Sequence, residues 1–540
     1  MSNEFGVRHG GRRWSKRRTA IGVAVATATL AILVPAVVAS AAPKVKPDKT
    51  AKTQTYSQPF GSMASVADQI GARKVWRAGH TGSGVNVAVV DTGVAVVHAL
   101  VGPKKVVAAV DLSAEASVND ARYLDTYGHG THIAGIIAGR DEEADPAAVT
   151  PDPTKFLGIA PDAGLISLKT ADNTGMVDVS HVIAAIDWAI DHRAEQNIRV
   201  LNLSYGTDSN QNYQIDPVAH AVERAWKAGI VVVTAAGNDG KGARRMANPA
   251  TDPFVIAVAG AEPKGDSWTI PKWSSSGDGT RNPDLAAPGV SIESLRAPGS
   301  RIDLEHPEGY VDGYLFKGSG SSQSAAVVSG AVALMLSARP ELTPDDVKYL
   351  LRSSAIPYKD GHQQAFAGQG VIQVDKAIAA PLPAVGTRQS WTASTGTGSL
   401  ESSRGSSHMI LNGMELTGEV TAIGAPWRSG AIAPYWQDDA VGTHQWRGDT
   451  WPNAAWKGVV WSGDTWPGIT WNPKADAIGG WGSTQSVTTT TTPTTTLVWD
   501  GKTWREATWE GKTWRDATWE GKTWREYEWL GGAWRVGSWS

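Results

Sequence analysis

The sequence predicts an α/β fold: a doubly wound, mostly parallel sheet with helices on both faces, followed by a β-rich tryptophan-repeat region. Three observations carry this. Apolar runs of strand length recur between residues 61 and 380. Amphipathic runs with helical spacing lie between them. Near the C-terminus tryptophan returns every five residues. Strand and helix in alternation imply parallel strands covered on both sides.

The strand candidates, in order, are "GVNVAVV" at 84–90, "GLISLKT" at 164–170, "VLNLSYG" at 200–206, "IVVVTAAG" at 230–237 and "FVIAVAG" at 254–260. Between the second and third, Val179, Val182, Ile183, Ile186 and Ile190 repeat at helical spacing. Val218, Val222 and Trp226 repeat likewise, and Gly229 supplies a stop. "SAAVVSGAVALML" has the length and Ala/Leu content of a buried helix with a small-residue face. "LTPDDVKYLLRSS" opens another helix, with Thr343 as cap and Pro344 in the first turn.

The chain has 540 residues, enough for two or three domains. It opens with basic "RHGGRRWSKRR", an apolar run from 21 to 38 and the small residues "ASAA". This is the layout of a secretory signal cleaved after Ala41, so the protein is expected to be extracellular. The alternative is an uncleaved membrane anchor. Residues 1–41 carry a net +5, which leaves −8 on the remainder. An acidic chain without a general basic patch gives no reason to expect nucleic acid as partner. There is no cysteine. That excludes disulfides, a thiol nucleophile and a zinc–thiolate site.

Functional groups in open parallel sheets gather at the carboxyl ends of the strands. Asp91 ends the first strong strand in "VAVVDTGV". His129 stands where a glycine-framed turn enters a helix in "YGHGTHIAGIIAG", with His132 one turn on. Asn238 follows a strand in "VTAAGNDG". "GSGSSQSAAVVSG" crowds serines at a helix start, where unpaired N–H groups and the helix dipole favour developing negative charge. Each has an ordinary structural reading as a turn or cap. Asp, His, Asn and Ser at four such ends make a sharper joint pattern.

On these residues the sequence resembles the subtilisin-like serine peptidases over roughly residues 62–380. "VAVVDTGV" resembles the family's aspartate motif, "GHGTHIAG" its histidine motif and "AAGN" the segment with the oxyanion asparagine. "NPDLAAPGVSI" and "GSSQSAAVVSG" resemble the stretch ahead of the serine and the serine motif itself. The order Asp, His, Ser is that of subtilisin.

The resemblance implies a secreted serine endopeptidase acting on polypeptides through an acyl-enzyme. Asp91, His129 and Ser322 would form the triad, and Asn238 would donate to the oxyanion. It assigns no attack to Ser319, Ser321 or Ser324 and makes His132 structural. It also implies that a substrate strand pairs with Ser204, Tyr205 and Gly206 on one side and Gly175, Met176 and Val177 on the other. Ala235, Ala236 and Gly237 would floor a roomy, apolar specificity pocket. The chemistry implies no cofactor. Structural calcium is a further expectation from the family, for the acidic loop "GRDEEADPAAVTPDPTKF" at 139–156, although its oxygens show no ligand spacing. The family's proline and methionine in the serine motif are Ala326 and Gln323 here, which predicts altered packing. The alternative function is a catalytically idle subtilisin fold that serves as scaffold for the tryptophan region.

The expected organisation is a signal at 1–41, a short segment at 42–60 with no room for a prodomain, the peptidase at 61–380 and a linker at 381–434. A first tryptophan array follows at 435–483, then a Thr-rich linker at 484–497 and a second array at 498–540. The units "WDGKTWREAT", "WEGKTWRDAT" and "WEGKTWREYE" place a Gly-bearing turn between Thr and Trp. They predict stacked short strands with an apolar spine, and a possible partner in cell-wall glycan or another surface ligand.

Overall fold

The computed structural model describes residues 60–427, apart from 96, 102–103, 118–122, 150–151, 153, 360–366, 412–413 and 423–426. Beyond these it describes only the strand pieces Trp436–Asp438, His444–Trp446 and Trp461–Ser462. All of this lies in the unit Ser57–Ser540. The expected signal, the segment 42–60 up to residue 59, the Thr-rich linker, and the tryptophan arrays apart from those three pieces lie outside the described residues.

The strands are β1 (Asn86–Asp91), β2 (Val106–Asp111), β3 (Gly164–Lys169), β4 (Ile198–Leu203), β5 (Val231–Ala235), β6 (Ile256–Lys264), β7 (Ser267–Thr269) and β8 (Leu285–Pro288). Parallel pairing runs in the order β2-β3-β1-β4-β5-β6-β8. Among the described residues β7 adds antiparallel on the end of β6, and the piece Trp461–Ser462 adds antiparallel on the edge of β2. The expected strands were apolar on both faces, and β3 and β5 are buried at every position. Such strands need cover on both sides. The expected runs overshoot at their ends: β4 stops at Leu203 and β5 at Ala235. β2 was not among the expected strands, since its "VVAAV" core is short and Ala-rich.

The principal helices are α1 (Met63–Gln69), α2 (Ala72–Arg77), α3 (His129–Ala138), α4 (Val179–Asp191), α5 (Pro217–Lys227), α6 (Arg301–Glu305), α7 (Ser321–Ala338) and α8 (Pro344–Ser354). They pack in groups, α3 on α7 and α4 on α5. The α4 periodicity is met by burial of Val179, Val182, Ile183, Ile186 and Ile190. Helix α8 begins as expected: Thr343 and Asp346 form a reciprocal capping box and Pro344 opens the first turn. Helix α7 lies against β4, β5, β6 and β8. Its Ala325, Ala326, Ala331 and Ala333 are fully buried, so small side chains let this long helix sit close to the sheet. Ala326, where the family has proline, keeps the backbone N–H that a helix interior uses.

The expectation of a linker from 381 to 434 needs correction. Over 387–422 the chain packs on the domain, and it forms helix α10 (Leu400–Arg404) after α9 (Val374–Ala379). Leu400, Ser403, Arg404, Met409 and Trp427 are buried. Composition misled here because, beside a few apolar anchors such as Leu400 and Trp427, the attachment is made by hydroxyl, amide and guanidinium groups whose carboxylate partners lie far away in sequence.

Candidate active site

Strand order reverses around β1, which has β3 on one side and β4 on the other. Its carboxyl end therefore opens into a crevice. Asp91 ends β1 and is 1% exposed. His129 is the first residue of α3. Its Nδ1 lies 2.9 and 3.1 Å from the two Asp91 carboxylate oxygens. The approach depends on Gly130, because a Cβ there would fall 2.1 Å from the Gly93 carbonyl oxygen and 3.0 Å from Asp91 Oδ1. Gly128 just ahead has φ +110°, a region that favours glycine.

A second carboxylate, missed from the sequence, fixes this helix start. Asp125 Oδ1 accepts from Gly128 N (2.6 Å) and Thr92 Oγ1 (2.7 Å), and Oδ2 accepts from Thr131 N (2.7 Å). Thr92 Oγ1 in turn accepts from Gly130 N (2.8 Å). Asp125 so pairs orphan donors of the first turn, where negative charge is also favoured by the dipole. Behind it, buried Lys169 donates to Glu115 (2.6 Å) and to the Leu124 carbonyl (2.6 Å), and pins the turn that carries Asp125. Only the proximity of a carboxylate to "GHGTH" hinted at this role.

The four crowded serines have different partners. Ser319 Oγ accepts from Ser291 N at 2.8 Å. Ser321 Oγ accepts from Gly237 N at 3.1 Å and ties the α7 start to the loop carrying Asn238. Ser324 Oγ donates to the Ala287 carbonyl at 3.0 Å. Ser322, the second residue of α7, has its Oγ 3.4 Å from the Ser204 carbonyl. The Ser322 carbonyl accepts from Ser204 Oγ (3.2 Å), which is held by Asn202 Nδ2 (2.9 Å). Ser329 Oγ donates to Asn202 Oδ1 (2.8 Å) and completes a buried chain under Ser322. Asn238 Oδ1 accepts from Ser321 N at 2.9 Å. That contact makes the other end of the amide the donor end.

Burial draws His129 down to about 3, with the Asp125 charge opposing. The imidazole is neutral at pH 7. Burial pushes the Asp91 carboxyl well above its ordinary value, against the hydrogen bond from Thr92 N. His132 is also drawn down, to about 4, chiefly by burial. Its Nε2 lies 3.2 Å from both the Ile292 and Phe316 carbonyls, so it is the donor there and joins three segments.

Among the expected substrate-contact residues, Met176, Val177 and Tyr205 line one surface pocket with Thr207. The loop bearing Gly175 and Met176 is shaped by Asp172, whose Oδ1 accepts from Thr174 N (2.8 Å) and Met176 N (3.1 Å). Ser204 and Gly206 flank Tyr205 just beyond β4. Ala235, Ala236 and Gly237 do not line that pocket. Ala235 belongs to the main core, and Ala236 packs with Met246, Ala250 and Ala257. Gly237 adopts φ +107°.

In the described part of the loop at 139–156 the carboxylates of Asp141, Glu143, Asp145 and Asp152 are engaged within the loop. Asp141 Oδ2 accepts from Phe156 N, Asp145 Oδ1 from Ala147 N and Asp152 Oδ1 from Thr154 N, while Glu143 pairs with Lys155. Among the described residues no group of three or more His, Asp or Glu comes together to hold a metal.

Comparison with known proteins gives the family. The Subtilase family, peptidase S8, matches residues 82–373. Serine protease AprX of Bacillus subtilis (strain 168) is 33% identical over 321 residues, 57% of this chain and 69% of that protein. Subtilisin DY of Bacillus licheniformis is 31% identical over 321 residues, 59% of this chain and 98% of that protein. The crystal structure of fervidolysin from Fervidobacterium pennivorans, a keratinolytic enzyme related to subtilisin, gives a TM-score of 0.48 at 27% identity, over 61% of this chain and 48% of that one. The chain belongs to the subtilase family and is a serine-type endopeptidase.

Proposed function

We propose that this protein is a secreted endopeptidase in which Ser322 attacks the scissile carbonyl, His129 is the base and Asp91 orients it. The observation that carries this reading is the buried contact of His129 Nδ1 with Asp91 at 2.9 Å, on a helix start built to hold it. A serine hydroxyl is a weak nucleophile near neutral pH and needs an adjacent base. A neutral imidazole whose Nδ1–H is held by Asp91 presents Nε2 as that base. His129 takes the Ser322 proton as Oγ bonds to the carbonyl carbon, and the carbonyl oxygen becomes an oxyanion. The Asn238 amide and the Ser322 N–H stabilise that oxyanion. His129 then protonates the leaving amine and an acyl-enzyme remains. Water, deprotonated by the same histidine, releases the acid and restores Ser322. None of these steps uses a cofactor.

The N-terminal signal at 1–41 supports secretion. Stacking of exposed indole rings on cell-wall glycan is the proposed role of the tryptophan arrays, tested by sedimentation of the secreted protein with purified wall material. The catalytic assignment is tested by Ser322→Ala in the full chain. We expect kcat to fall by about 10⁶-fold, the scale known for the subtilisin serine. Ser319→Ala, Ser321→Ala and Ser324→Ala should each retain turnover. Full activity in Ser322→Ala contradicts the assignment.

A further inference from the structure

The proposed base and the proposed substrate edge stand on different segments, and one carboxylate holds both. Glu115 lies in the 3-10 turn Ala114–Ser117, just beyond the carboxyl end of β2, and is buried. Its Oε2 accepts from Lys169 Nζ at 2.6 Å and from Thr126 Oγ1 at 2.7 Å. Lys169 also donates to the Leu124 carbonyl at 2.6 Å. Leu124 and Thr126 flank Asp125, so this oxygen serves the turn that leads into His129. The other oxygen, Oε1, accepts from Asn173 N at 3.1 Å.

Asn173 belongs to the loop that ends in Gly175, Met176 and Val177. Asp172 closes this loop: its carbonyl accepts from Gly175 N at 2.9 Å and its N–H donates to the Met176 carbonyl at 3.3 Å. From Asp172 to Val177 the chain has no regular structure, and apart from Gly175 its residues are half-buried or exposed. Burial therefore does not fix this edge, and hydrogen bonds must. The residue type at 115 matters for that reason. A carboxylate accepts at both ends, whereas an amide accepts at one and donates at the other. Neutralising Lys169 alone would not require the second oxygen to meet Asn173.

We propose that Glu115 is a positioning residue for catalysis. It sets the substrate edge Gly175–Val177 at a fixed distance from the turn that carries His129. A substrate strand paired along that edge then delivers its scissile carbonyl to the spacing that His129 and Ser322 require. Binding energy from residues remote from the cleaved bond appears in kcat and not in KM alone. The inference rests on the peptidase reading above, because it needs a substrate strand on that edge.

The test uses the full-length protein and two amide substrates with the same leaving group and the same residue at the cleaved bond. One is an N-acyl single residue, and the other an N-acyl tetrapeptide. The readout is the ratio of tetrapeptide to single-residue kcat. In the wild type it should reach about 10–100, the upper figure being the cost of a misplacement of about 1 Å at the reacting centre. Glu115→Gln keeps an acceptor for Lys169 and sets an amide donor against Asn173 N–H. The ratio should then fall by about tenfold or more, while the tetrapeptide keeps its KM advantage. Thr126→Val removes the hydroxyl on the other side, leaves the Lys169–Glu115 pair in place, and serves where the Gln variant does not fold. Its ratio should fall in the same direction. A role confined to holding the fold lowers both kcat values alike and leaves the ratio unchanged. An unchanged ratio in a folded variant, or a wild-type ratio near one, overturns the positioning role and leaves the peptidase reading standing. A wild-type protein inert toward both amides overturns both.

Discussion

From residue 84 to residue 354 order is carried by apolar periodicity, whereas from 387 to 422 it is carried by hydroxyls, amides and one guanidinium. In the first region β1, β3, β4 and β5 bury aliphatic side chains, each worth about 1.5–3 kcal/mol on full burial. In the second, Thr387 donates to Asp346, Ser394 N to Glu223, Ser403 Oγ to Asp216 and Arg404 to Asp178. All four partners are carboxylates on or beside helices α4, α5 and α8. A Ser/Thr/Gly-rich stretch is loose only when its polar groups have water as their sole partner. Here the partners exist but lie far away in sequence, where no local pattern reveals them.

The comparison is broken most severely at Arg404. Arg404→Ala leaves Asp178 buried and unpaired at the start of α4. We expect a loss of about 3–5 kcal/mol in unfolding free energy, read as a lower urea midpoint. A change below about 1 kcal/mol, the scale of an exposed pair, would mean that 387–422 is no integral part of the fold.

A second test concerns the region with apolar order. Asn238→Ala should lower kcat by about 10²–10³-fold, equivalent to about 2.7–4 kcal/mol, the scale found for subtilisin's own asparagine. KM should change little, because the donor acts on charge that develops in the transition state. An equal loss in Gln323→Ala would deny Asn238 its special place.

The smallest effect is on pH dependence. Burial lowers His129 to about 3 and His132 to about 4, against about 6.5 in an unfolded chain. Between those values the unfolded state binds more protons than the folded one, so stability rises with pH. The stability present above about pH 6.5 is lost as pH falls toward 4. His132 alone contributes about 3 kcal/mol to that loss. His132→Gln keeps a donor for the Ile292 and Phe316 carbonyls and should flatten the slope measured by urea unfolding at pH 7, 5.5 and 4. An unchanged slope would mean that His132 does not stay neutral.

Much of the sheet was legible because a buried parallel strand must be apolar on both faces. The residues proposed for the site, Asp91, His129, Asn238 and Ser322, stand out because each falls at a strand end or helix start in a motif that resembles the family's. Asp125, Thr92 and Asn202 do not, since each acts by hydrogen-bonding a backbone or hydroxyl that only the fold brings near. Lys169 was hidden inside an apolar strand pattern, where its charge makes sense only against Glu115.

The most direct measurement is covalent labelling of the purified full chain with a fluorophosphonate, followed by peptide mapping. A phosphonate reacts with a hydroxyl only where a base activates it and an oxyanion site stabilises the adduct. The account predicts a single adduct on Ser322 that is abolished by His129→Ala and unaffected by His132→Ala. An adduct on Ser319, Ser321 or Ser324, or labelling that survives His129→Ala, would contradict it.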